Sequence, residues 1–576
     1  MPLTTPLFLR ALTSAVVATA LVAGAAGVAA AEPAAEAVST QPASASVITP
    51  GVGPVSIAVV VPITAPPSVT GLLSEEELAE YTDTFGVLTR QLDTVASTKA
   101  ALAIDPMILA SIRVLGSAAP ESARAWLQRL ESLPNESFLL AYGDADVVTA
   151  ARTGTLTSLQ PRGFGFALDP SRFAEQPIAD PSPTTAPEPT ASPTPTADPD
   201  AAPPFPTTEQ LLAWSSTLPR IAWPAVDGVG ASDVASLGAA GYQSVLLSDA
   251  DTGPTASAHV AVGGVDAVVI DSARSAALRS AAASALEGER ISQLEAFTAD
   301  LAVQAQNSPG RTMVLSVART WPGVPAGLGA ALAAIENAEA AQIVPLSEVL
   351  ATTPTPAALG DAVRDEEREA VFVDLLGDVD AEQVFSSVVV APELLLEPRN
   401  LAHIALYGAA WIEDSEWDDA VGAFETRSEA IVTSVRIERG SDRVLLARST
   451  GLRVSVSNAL DLAIVVRVSA VPRSPILRAE GPVDLTVEPN ATASAYIPVE
   501  AIANGEVRVL TSLSSVSGIA VDSDYANITV RAEWEGIGTL VFVLLLVGIF
   551  VAGIIRLILL RRKARVREED TEGSGD

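Results

Sequence analysis

The feature that most limits how this chain can fold is a repeated alternation of short apolar runs with helix-like stretches between residues 56 and 349. The runs consist mainly of Val, Ile, Leu and Ala, which is typical of parallel strands that are buried on both faces. The stretches between them are amphipathic, and the first opens with Ser74 and Glu77 in a capping-box pattern. The predicted strands are 56–63, 99–105, 137–143, 220–224, 243–248, 267–271, 312–318 and 341–346.

This series of β/α repeats predicts an α/β barrel-like domain of the (β/α)7–8 type over residues 48–352. An open, doubly wound parallel sheet is the alternative that the same pattern allows. Two segments leave the number of strands open. Residues 260–271 could form a hairpin, and residues 163–170 could be a further strand or a loop.

The alternation is interrupted by residues 175–206, which are rich in Pro, Thr, Ala and Asp. Such a composition predicts a disordered, semi-extended segment. An interdomain linker would have the same composition. Because barrel strands are predicted on both sides of the segment, we expect an insertion within one βα loop.

The pattern changes twice after the predicted barrel. Residues 353–433 have apolar side chains at spacings of three and four, which predicts a helical connecting region. From residue 434 the apolar period becomes two, and short alternating segments are separated by Gly, Asn, Pro and Asp. We therefore predict an immunoglobulin-like β-sandwich over residues 434–533, which would stand as a membrane-proximal stalk.

The C-terminal region predicts one transmembrane helix over residues 536–560, in which Arg556 is the only charged residue. About 20 apolar residues suffice to cross a bilayer core of about 30 Å. Trp534 stands where an interfacial aromatic residue is expected, and the basic sequence RRKARVR begins at Arg561. By the positive-inside rule, the tail 561–576 is predicted to be cytoplasmic and the bulk of the chain extracytoplasmic. The lipid bilayer is therefore one predicted partner, bound through this C-terminal helix.

The N-terminal segment 1–31 predicts a secretory signal peptide. Arg10 precedes an apolar run, and small residues lead up to Glu32. A first transmembrane helix is the alternative. The run is rich in Ala and Gly and a Pro-, Ala- and Ser-rich stretch follows it, which favours cleavage after Ala31.

Composition narrows the chemistry that the chain can support. With 35 basic and 69 acidic residues, its net charge of -34 argues against nucleic acid or anionic lipid as a partner of the main body. The absence of cysteine excludes disulfides, thiolate metal sites and a cysteine nucleophile. The two histidines, His259 and His403, are too far apart in sequence to form a short metal-binding motif, and no nucleotide-binding or serine-hydrolase motif occurs. We therefore predict no metal and no cofactor.

Acidic residues follow several of the predicted strands. The carboxyl ends of the strands of a βα barrel form the rim that carries catalysis, and a pair of carboxylates there would suit glycoside hydrolysis. Trp223 and Trp321 also end predicted strands and could stack on sugar rings. The acids on or near this rim are Asp105, Asp144, Asp146, Asp249, Asp251, Asp271 and Glu348, of which Asp105, Asp249, Asp271 and Glu348 are the catalytic candidates.

The same acids have a structural interpretation. Asp at a strand–helix junction is a common N-cap, because its carboxylate accepts a hydrogen bond from a free backbone N–H of the helix. The sequence does not select one pair of acids for catalysis. We expect capping to explain the majority of them.

Four stretches together carry a resemblance to a known family. They are SIAVVVPIT from Ser56, LAIDP, IAWPAVDG with GYQSVLLSD, and the ending ANGEVRVLTSL…NITVRAEWEGIGT, which runs into the membrane helix and RRK. They resemble an actinobacterial family of secreted, single-pass membrane-anchored cell-envelope proteins of unknown function, often encoded beside the lipid II flippase. The resemblance implies a role in the cell envelope. The N-terminal part is also distantly similar to the barrels of polysaccharide deacetylases and related glycosidases, but it lacks their metal-binding histidines.

Two functional hypotheses follow. The first is an exported, membrane-anchored scaffold or glycan-binding factor that acts near cell-wall assembly, with cell-wall glycan or envelope assembly proteins as partners. The second is a membrane-tethered glycoside hydrolase that uses strand-end carboxylates. The second requires two acids that line one pocket with Trp223 or Trp321.

Overall fold

The computed structural model describes residues 53–173 and 205–569, except 254, 256, 318, 320–324, 413, 440–442 and 532–534. The predicted signal peptide, residues 175–204 of the predicted insertion, Trp321, Trp534 and the last residues of the tail therefore lie outside the described residues.

The N-terminal part contains one large sheet. Its strands within the described residues are β1 (Val55–Ile63), β2 (Ala101–Ile104), β3 (Ser137–Leu139), β4 (Ile221–Ala222), β5 (Ser244–Ser248), β6 (His259–Val262), β7 (Val265–Ile270), β8 (Thr312–Ser316), β9 (Ala341–Ile343) and β10 (Thr355–Pro356). Parallel pairs connect seven of them in the order β4–β5–β7–β8–β1–β2–β3. Strand β6 pairs antiparallel with β7, so residues 260–271 form the hairpin that the sequence allowed. Residues 163–170 contain a short 3-10 turn and no strand.

The helices of this part follow the strands in the alternation that the sequence predicts. They are α1 (Glu75–Tyr81), α2 (Val87–Val95), α3 (Pro106–Val114), α4 (Glu121–Glu131), α5 (Val147–Thr153), α6 (Thr208–Leu212), α7 (Ala231–Ala239), α8 (Asp249–Thr252), α9 (Ser272–Ala283), α10 (Glu287–Asn307), α11 (Pro325–Glu336) and α12 (Leu346–Leu350).

The parallel sheet curls into a barrel-like shape. Phe138 of β3 and Leu246 of β5, which lie toward opposite ends of the strand order, share one buried apolar cluster with Val60 and Val314. Their strand neighbours face outward and pack with the helices in a separate core. The inner cluster contains residues of the strands, their adjoining loops and α12 but none of α1 to α11, as expected when a sheet curves around on itself. The seam between β3 and β4 is bridged by the N–H groups of residues 217 and 218, which donate to the Ser137 carbonyl oxygen at 3.1 Å.

Strand β9 does not extend the ring. It pairs with only the first three residues of β1, Val55 to Ile57. Behind it, Leu346 and Val349 of α12 join the inner cluster, and the Ser347 N–H donates to the carboxylate of Glu136, the residue before β3, at 3.0 Å. The chain therefore closes the barrel at the amino-terminal ends of its strands.

Three helices cover part of the opposite end: α13 (Glu366–Phe385), α14 (Glu393–Leu406) and α15 (Trp417–Val432). The Phe372 ring stacks on Tyr407 with 3.7 Å between the ring centroids. The Tyr407 carbonyl oxygen accepts a hydrogen bond from the Asp146 N–H at 2.8 Å, beyond the carboxyl end of β3. The turn after α14 is thus fixed to the barrel rim.

Two further sheets follow. Their strands are β11 (Val435–Ile437), β12 (Arg443–Leu445), β13 (Ser449–Asn458), β14 (Ile464–Pro472), β15 (Leu477–Ala479), β16 (Val483–Val487), β17 (Ala491–Ala501), β18 (Gly505–Ser514) and β19 (Ala520–Val530). The sheets β11–β13–β17–β15 and β12–β19–β18–β14–β16 enclose one apolar core. Residues alternate between this core and solvent along most of the long strands, as the period of two predicts.

The last element is α16 (Glu535–Glu569). Within it, the 25-residue span Thr539–Lys563 contains an 18-residue stretch with a mean hydropathy of 2.9 and no buried part, so it is long and apolar enough to span a membrane. A membrane anchor at the C-terminal helix is consistent with this finding.

Candidate functional site at the barrel rim

The rim at the carboxyl ends of the strands holds a cavity of about 580 Å³, here called the rim cavity. It lies over β4, β5, β7 and β8, and the turn after α14 forms one wall. Its volume falls in the range that small ligands occupy. Its lining includes Trp223, Pro224, Asp227, Ser248, Asp251, Ser272, Arg279, Ser316, Arg319, Ala409, Ala410 and Ile412.

Arg319, three residues after β8, fixes the near wall of the rim cavity. Its guanidinium pairs with the Asp144 carboxylate and donates to the Trp223 carbonyl oxygen at 2.5 Å. The same group lies 4.6 Å from the centroid of the Trp223 ring. Arg319 thus joins the strand ends of β3 and β4 across the seam and holds the Trp223 ring in place.

Two other charged side chains in the rim cavity, Asp251 and Arg279, differ in their hydrogen-bond partners. The Asp251 carboxylate accepts hydrogen bonds from three backbone N–H groups, those of Gly228 at 2.6 Å, Val229 at 3.0 Å and Ser248 at 3.1 Å. The half-buried Arg279 guanidinium has no hydrogen bond or ion pair among the described residues. Within the described part of the chain, Arg279 is therefore a cavity cation that is free to bind a ligand.

Asp105 occupies a different part of the rim and is only 1% exposed. Its carboxylate caps α3 through the Met107 N–H at 2.8 Å and accepts the Gly143 N–H at 2.9 Å. Gly143 has φ 66°, and Asp144 has φ 49°, a left-handed conformation that is uncommon outside glycine. This turn directs backbone N–H groups at Asp105, so that the carboxylate connects the ends of β2 and β3.

Burial dominates the ionisation of these two acids. It raises the pKa of Asp105 to about 7, against the hydrogen bonds from Met107 and Gly143, and the nearby Asp144 charge raises it further. Burial also raises the pKa of Asp144, while the Arg319 guanidinium opposes that shift.

The space beside Asp105 and Asp144 is almost filled. The cavity that touches both acids measures only about 20 Å³, and Ala405, Gly408 and Trp411 of the α14 turn lie against it. A cavity needs roughly 10–15 Å³ to hold one water molecule. There is therefore room for about one water beside these acids and none for a sugar ring.

The remaining predicted site residues are dispersed. Asp249 accepts the Ser272 N–H at 3.2 Å, and Asp271 caps α9 through the Arg274 N–H at 3.0 Å. Both line a smaller cavity of about 330 Å³ that does not include Trp223. Glu348 lies on the exposed surface of α12 at the amino-terminal end of the barrel, so its predicted place on the rim is wrong. The reason is the pairing of β9 with the start of β1, which the apolar run alone does not indicate.

Both histidines make contacts within the fold that account for their positions. His403 is 0% exposed, lies beside the rings of Tyr407 and Phe424, and burial lowers its pKa to about 4. His259 places Nδ1 2.7 Å from the Thr352 carbonyl oxygen. Among the described residues, no group of three metal-capable side chains comes together.

Two functional residues escaped the sequence-based reasoning. Arg319 carries one signal that could have revealed it, since it is a basic residue directly after an apolar strand in SVART. Arg279 lies inside α9, where nothing in the sequence separates it from any surface arginine. The wall formed by the α14 turn has no local sequence signal because it depends on packing between distant segments.

Fold and site together define a class of protein: a barrel-like α/β domain with a ligand-sized rim cavity, joined to a two-sheet β domain and a helix that could span a membrane. Residues 38–566 match the profile described as "Family of unknown function (DUF6049)". The chain belongs to that family.

Similarity to solved structures is low. An alpha-amylase from Thermotoga maritima aligns over 66% of this chain and 93% of its own, with 10% identity and a TM-score of 0.40. A 4-alpha-glucanotransferase from Thermococcus litoralis aligns over 80% of this chain and 85% of its own, with 12% identity and a TM-score of 0.34. An alpha-2-macroglobulin from Escherichia coli aligns over 17% of this chain and 7% of its own, with 21% identity and a TM-score of 0.14. No curated protein matches the sequence.

Proposed function

We propose that this protein is an exported, membrane-anchored cell-envelope factor that binds glycan in the rim cavity without cleaving it. The observation that carries the proposal is how the rim acids with a raised pKa are placed. Asp251 lines the rim cavity, and burial raises its pKa, but its carboxylate accepts hydrogen bonds from three backbone N–H groups and is thereby tied to the chain. Asp105, with the raised pKa that a general acid requires, adjoins a void of about 20 Å³, while the rim cavity measures about 580 Å³.

The lining of the rim cavity suits a sugar. The Trp223 ring offers a flat apolar face, and Arg279, Asp227 and the serine hydroxyls offer donors and acceptors for sugar hydroxyl groups. The orientation of Trp223 is set by Arg319 before any ligand arrives. Such preorganisation lowers the entropy that binding must overcome.

The test is binding of defined cell-wall glycan fragments to the detergent-solubilised full chain. Trp223→Ala removes the stacking face and should weaken binding by about 1–2 kcal/mol, a roughly 5- to 30-fold higher Kd, by calorimetry. Trp223→Phe keeps an aromatic face and serves as the matched control, with most of the affinity retained. Equal affinity of both variants and the wild type would contradict a rim-cavity site.

Hydrolysis is measured in the same samples. Under the binding proposal, no reducing ends appear from any fragment. Release of reducing ends that Asp105→Asn abolishes, while the variant still folds, would instead establish the hydrolase. In that case the α14 turn would have to move to admit the substrate.

The envelope location also belongs to the proposal. We expect cleavage after Ala31, an immunoglobulin-like stalk over residues 434–533, α16 in the membrane, and the basic tail in the cytoplasm. Envelope assembly proteins are the expected partners if the chain acts as a scaffold. A reporter that is active only in the cytoplasm, fused after Asp576, should be active. Activity of an export-dependent reporter at that position would contradict this topology.

A further inference from the structure

The two-sheet β domain has two distinct ends, which the strand register defines. The chain enters beside Asn458, with which Val435 pairs, and leaves at Val530, which pairs with Leu445 and Gly505. Strand β13 runs from one end to the other, from Ser449 to Asn458. The end beside Val530, formed by residues 443–448, 473–478, 500–508 and 530–531, is here called the anchor end, because α16 follows it.

The anchor end is basic although the chain as a whole carries a net charge of -34. It contains six arginines and two glutamates, Glu500 and Glu506. The arginines are Arg443, Arg448, Arg473, Arg478, Arg508 and Arg531, all of them exposed except the half-buried Arg443. The opposite end, residues 435–437, 458–467, 484–490 and 514–524, contains five acidic residues and two arginines, Arg436 and Arg467. The charge is therefore polarised along the domain.

The connections at the anchor end also expose apolar side chains. Leu446, between β12 and β13, is 62% exposed, and Ile502, between β17 and β18, is 49% exposed. Exposed apolar tips among arginines are typical of surfaces that lie in a bilayer interface.

The tether to α16 is short. Eight residues separate Val530 from Thr539, the first residue of the segment that could span a membrane. Fully extended, a stretch of this length reaches at most about 30 Å, and the helical turn that starts at Glu535 shortens this reach. If α16 spans the membrane, the anchor end is held near the headgroups.

We propose that the anchor end binds the surface of the bilayer in which α16 is embedded, with Leu446 and Ile502 inserted among anionic headgroups and the arginines paired with them. The contact fixes the orientation of the β domain, so that the barrel rim is held at a set distance from the membrane. Charge complementarity favours anionic lipid over a protein surface, because six of the domain's arginines cluster at the end that the tether holds near the bilayer. This inference requires that α16 spans the membrane and is independent of glycan binding.

The chain has no cysteine, so single reporter sites can be introduced without any background. Leu446→Cys, Ile502→Cys and the control Val516→Cys, 47% exposed at the opposite end, are labelled with an environment-sensitive fluorophore. The full chain is then reconstituted into nanodiscs that contain phosphatidylglycerol with brominated acyl chains. We expect quenching at positions 446 and 502 and none at position 516.

Two further experiments distinguish electrostatic binding to the headgroups from mere closeness of the domain to the bilayer. Arg448→Gln with Arg531→Gln should reduce the quenching, whereas Arg436→Gln with Arg453→Gln, away from the anchor end, should not. At about 1 M salt, where the Debye length falls to about 3 Å, the quenching should also decrease. No quenching at 446 and 502, equal quenching at all three positions, or equal quenching in purely zwitterionic lipid would each overturn the proposal.

Discussion

The two halves of the barrel rim differ in what lies above their strand ends. Over β4, β5, β7 and β8 the rim cavity measures about 580 Å³, whereas beside β2 and β3 the turn after α14 leaves about 20 Å³. The open half is lined by Trp223, Arg279, Asp227, Asp251 and serines, and the closed half contains Asp105 and Asp144. Asp105, whose pKa burial raises to about 7, lies where no substrate fits, and the Asp251 carboxylate in the open half is held by three backbone N–H groups. Both arrangements argue for a structural role of these two acids.

The closed half owes its structure to a chain of backbone contacts. The Asp105 carboxylate binds the N–H groups of Met107 and Gly143, and Gly143 lies against Gly408 of the α14 turn. A side chain at position 408 would place its Cβ 3.2 Å from the Gly143 carbonyl oxygen. Glycine at position 408 leaves room for this approach, whereas glycine at position 143 suits the left-handed φ of 66°, since a Cβ there would meet no atom closer than 4.0 Å.

The prediction with the largest expected effect concerns the ion pair between Arg319 and Asp144, which lies where the two halves meet. Arg319→Met leaves Asp144 buried without its partner, and the loss of one member of a buried pair costs about 3–5 kcal/mol. We expect this loss in the free energy of unfolding at neutral pH, measured by denaturant titration. The loss should shrink at acidic pH, because the pKa of Asp144 rises further without the guanidinium and the carboxyl becomes protonated.

Arg279→Met is the matched control in the open half. Arg279 lines the same cavity but has no ion pair in the described parts of the chain, so its removal should change stability by less than about 0.5 kcal/mol. It should weaken glycan binding instead. Equal destabilisation by the two substitutions would remove the distinction between the halves.

The second prediction concerns pH. Because burial raises the pKa of Asp105 to about 7, from an ordinary value of 3.8, the folded protein binds more protons than the unfolded chain between these values. The stabilising contribution is therefore fully present below about pH 4 and is lost as pH rises through about 7, with a slope of at most about 1.4 kcal/mol per pH unit.

Asp105→Asn should remove this part of the pH dependence. The amide oxygen can still accept the Met107 and Gly143 N–H groups, and no charge is buried at high pH. We expect the variant to be about as stable as the wild type below about pH 4 and increasingly more stable than the wild type as the pH rises to 8, by thermal melting. If the stability of the two proteins instead depended on pH in the same way, the pKa of Asp105 would not be raised in the folded protein, and this prediction would be wrong.

The sequence predicted the strands of the barrel well because each one is a continuous apolar run. The run at 243–248 became β5 (Ser244–Ser248), and the period of two after residue 434 became two sheets around one core. The pairing of β9 was not predictable from the sequence. Its three residues pair with the start of β1, which lies far away along the chain. Consequently Glu348 was assigned to the wrong end of the barrel.

The candidate site was predicted less completely than the fold. The strand-end rule located Trp223 and Asp251, both of which line the rim cavity. It could not distinguish Asp105 from Asp251, because their different surroundings depend on the α14 turn, which lies about 300 residues beyond Asp105 in the sequence. Tertiary packing of this kind leaves no local pattern.

The smallest expected effect concerns an acid that belongs to neither half. Asp271 caps α9 through the Arg274 N–H and pairs with the Arg274 guanidinium at 2.7 Å, which also binds Asp300 at 2.7 Å. Asp271→Ala removes the cap and should cost about 1 kcal/mol, while Asp271→Asn keeps an acceptor and should cost less. Neither should change glycan affinity.

Glu348→Gln provides the reference for these values, since an exposed substitution without such contacts usually changes stability by less than about 0.5 kcal/mol. Denaturant midpoints of the three variants should therefore fall in the order Glu348→Gln, Asp271→Asn, Asp271→Ala, from the highest to the lowest. If Asp271→Ala instead abolished glycan binding at unchanged stability, the ligand site would extend beyond the rim cavity into the smaller cavity that Asp249 and Asp271 line. Strand-end acids would then belong to recognition, and the contrast between an open and a closed half of the rim would no longer explain the molecule.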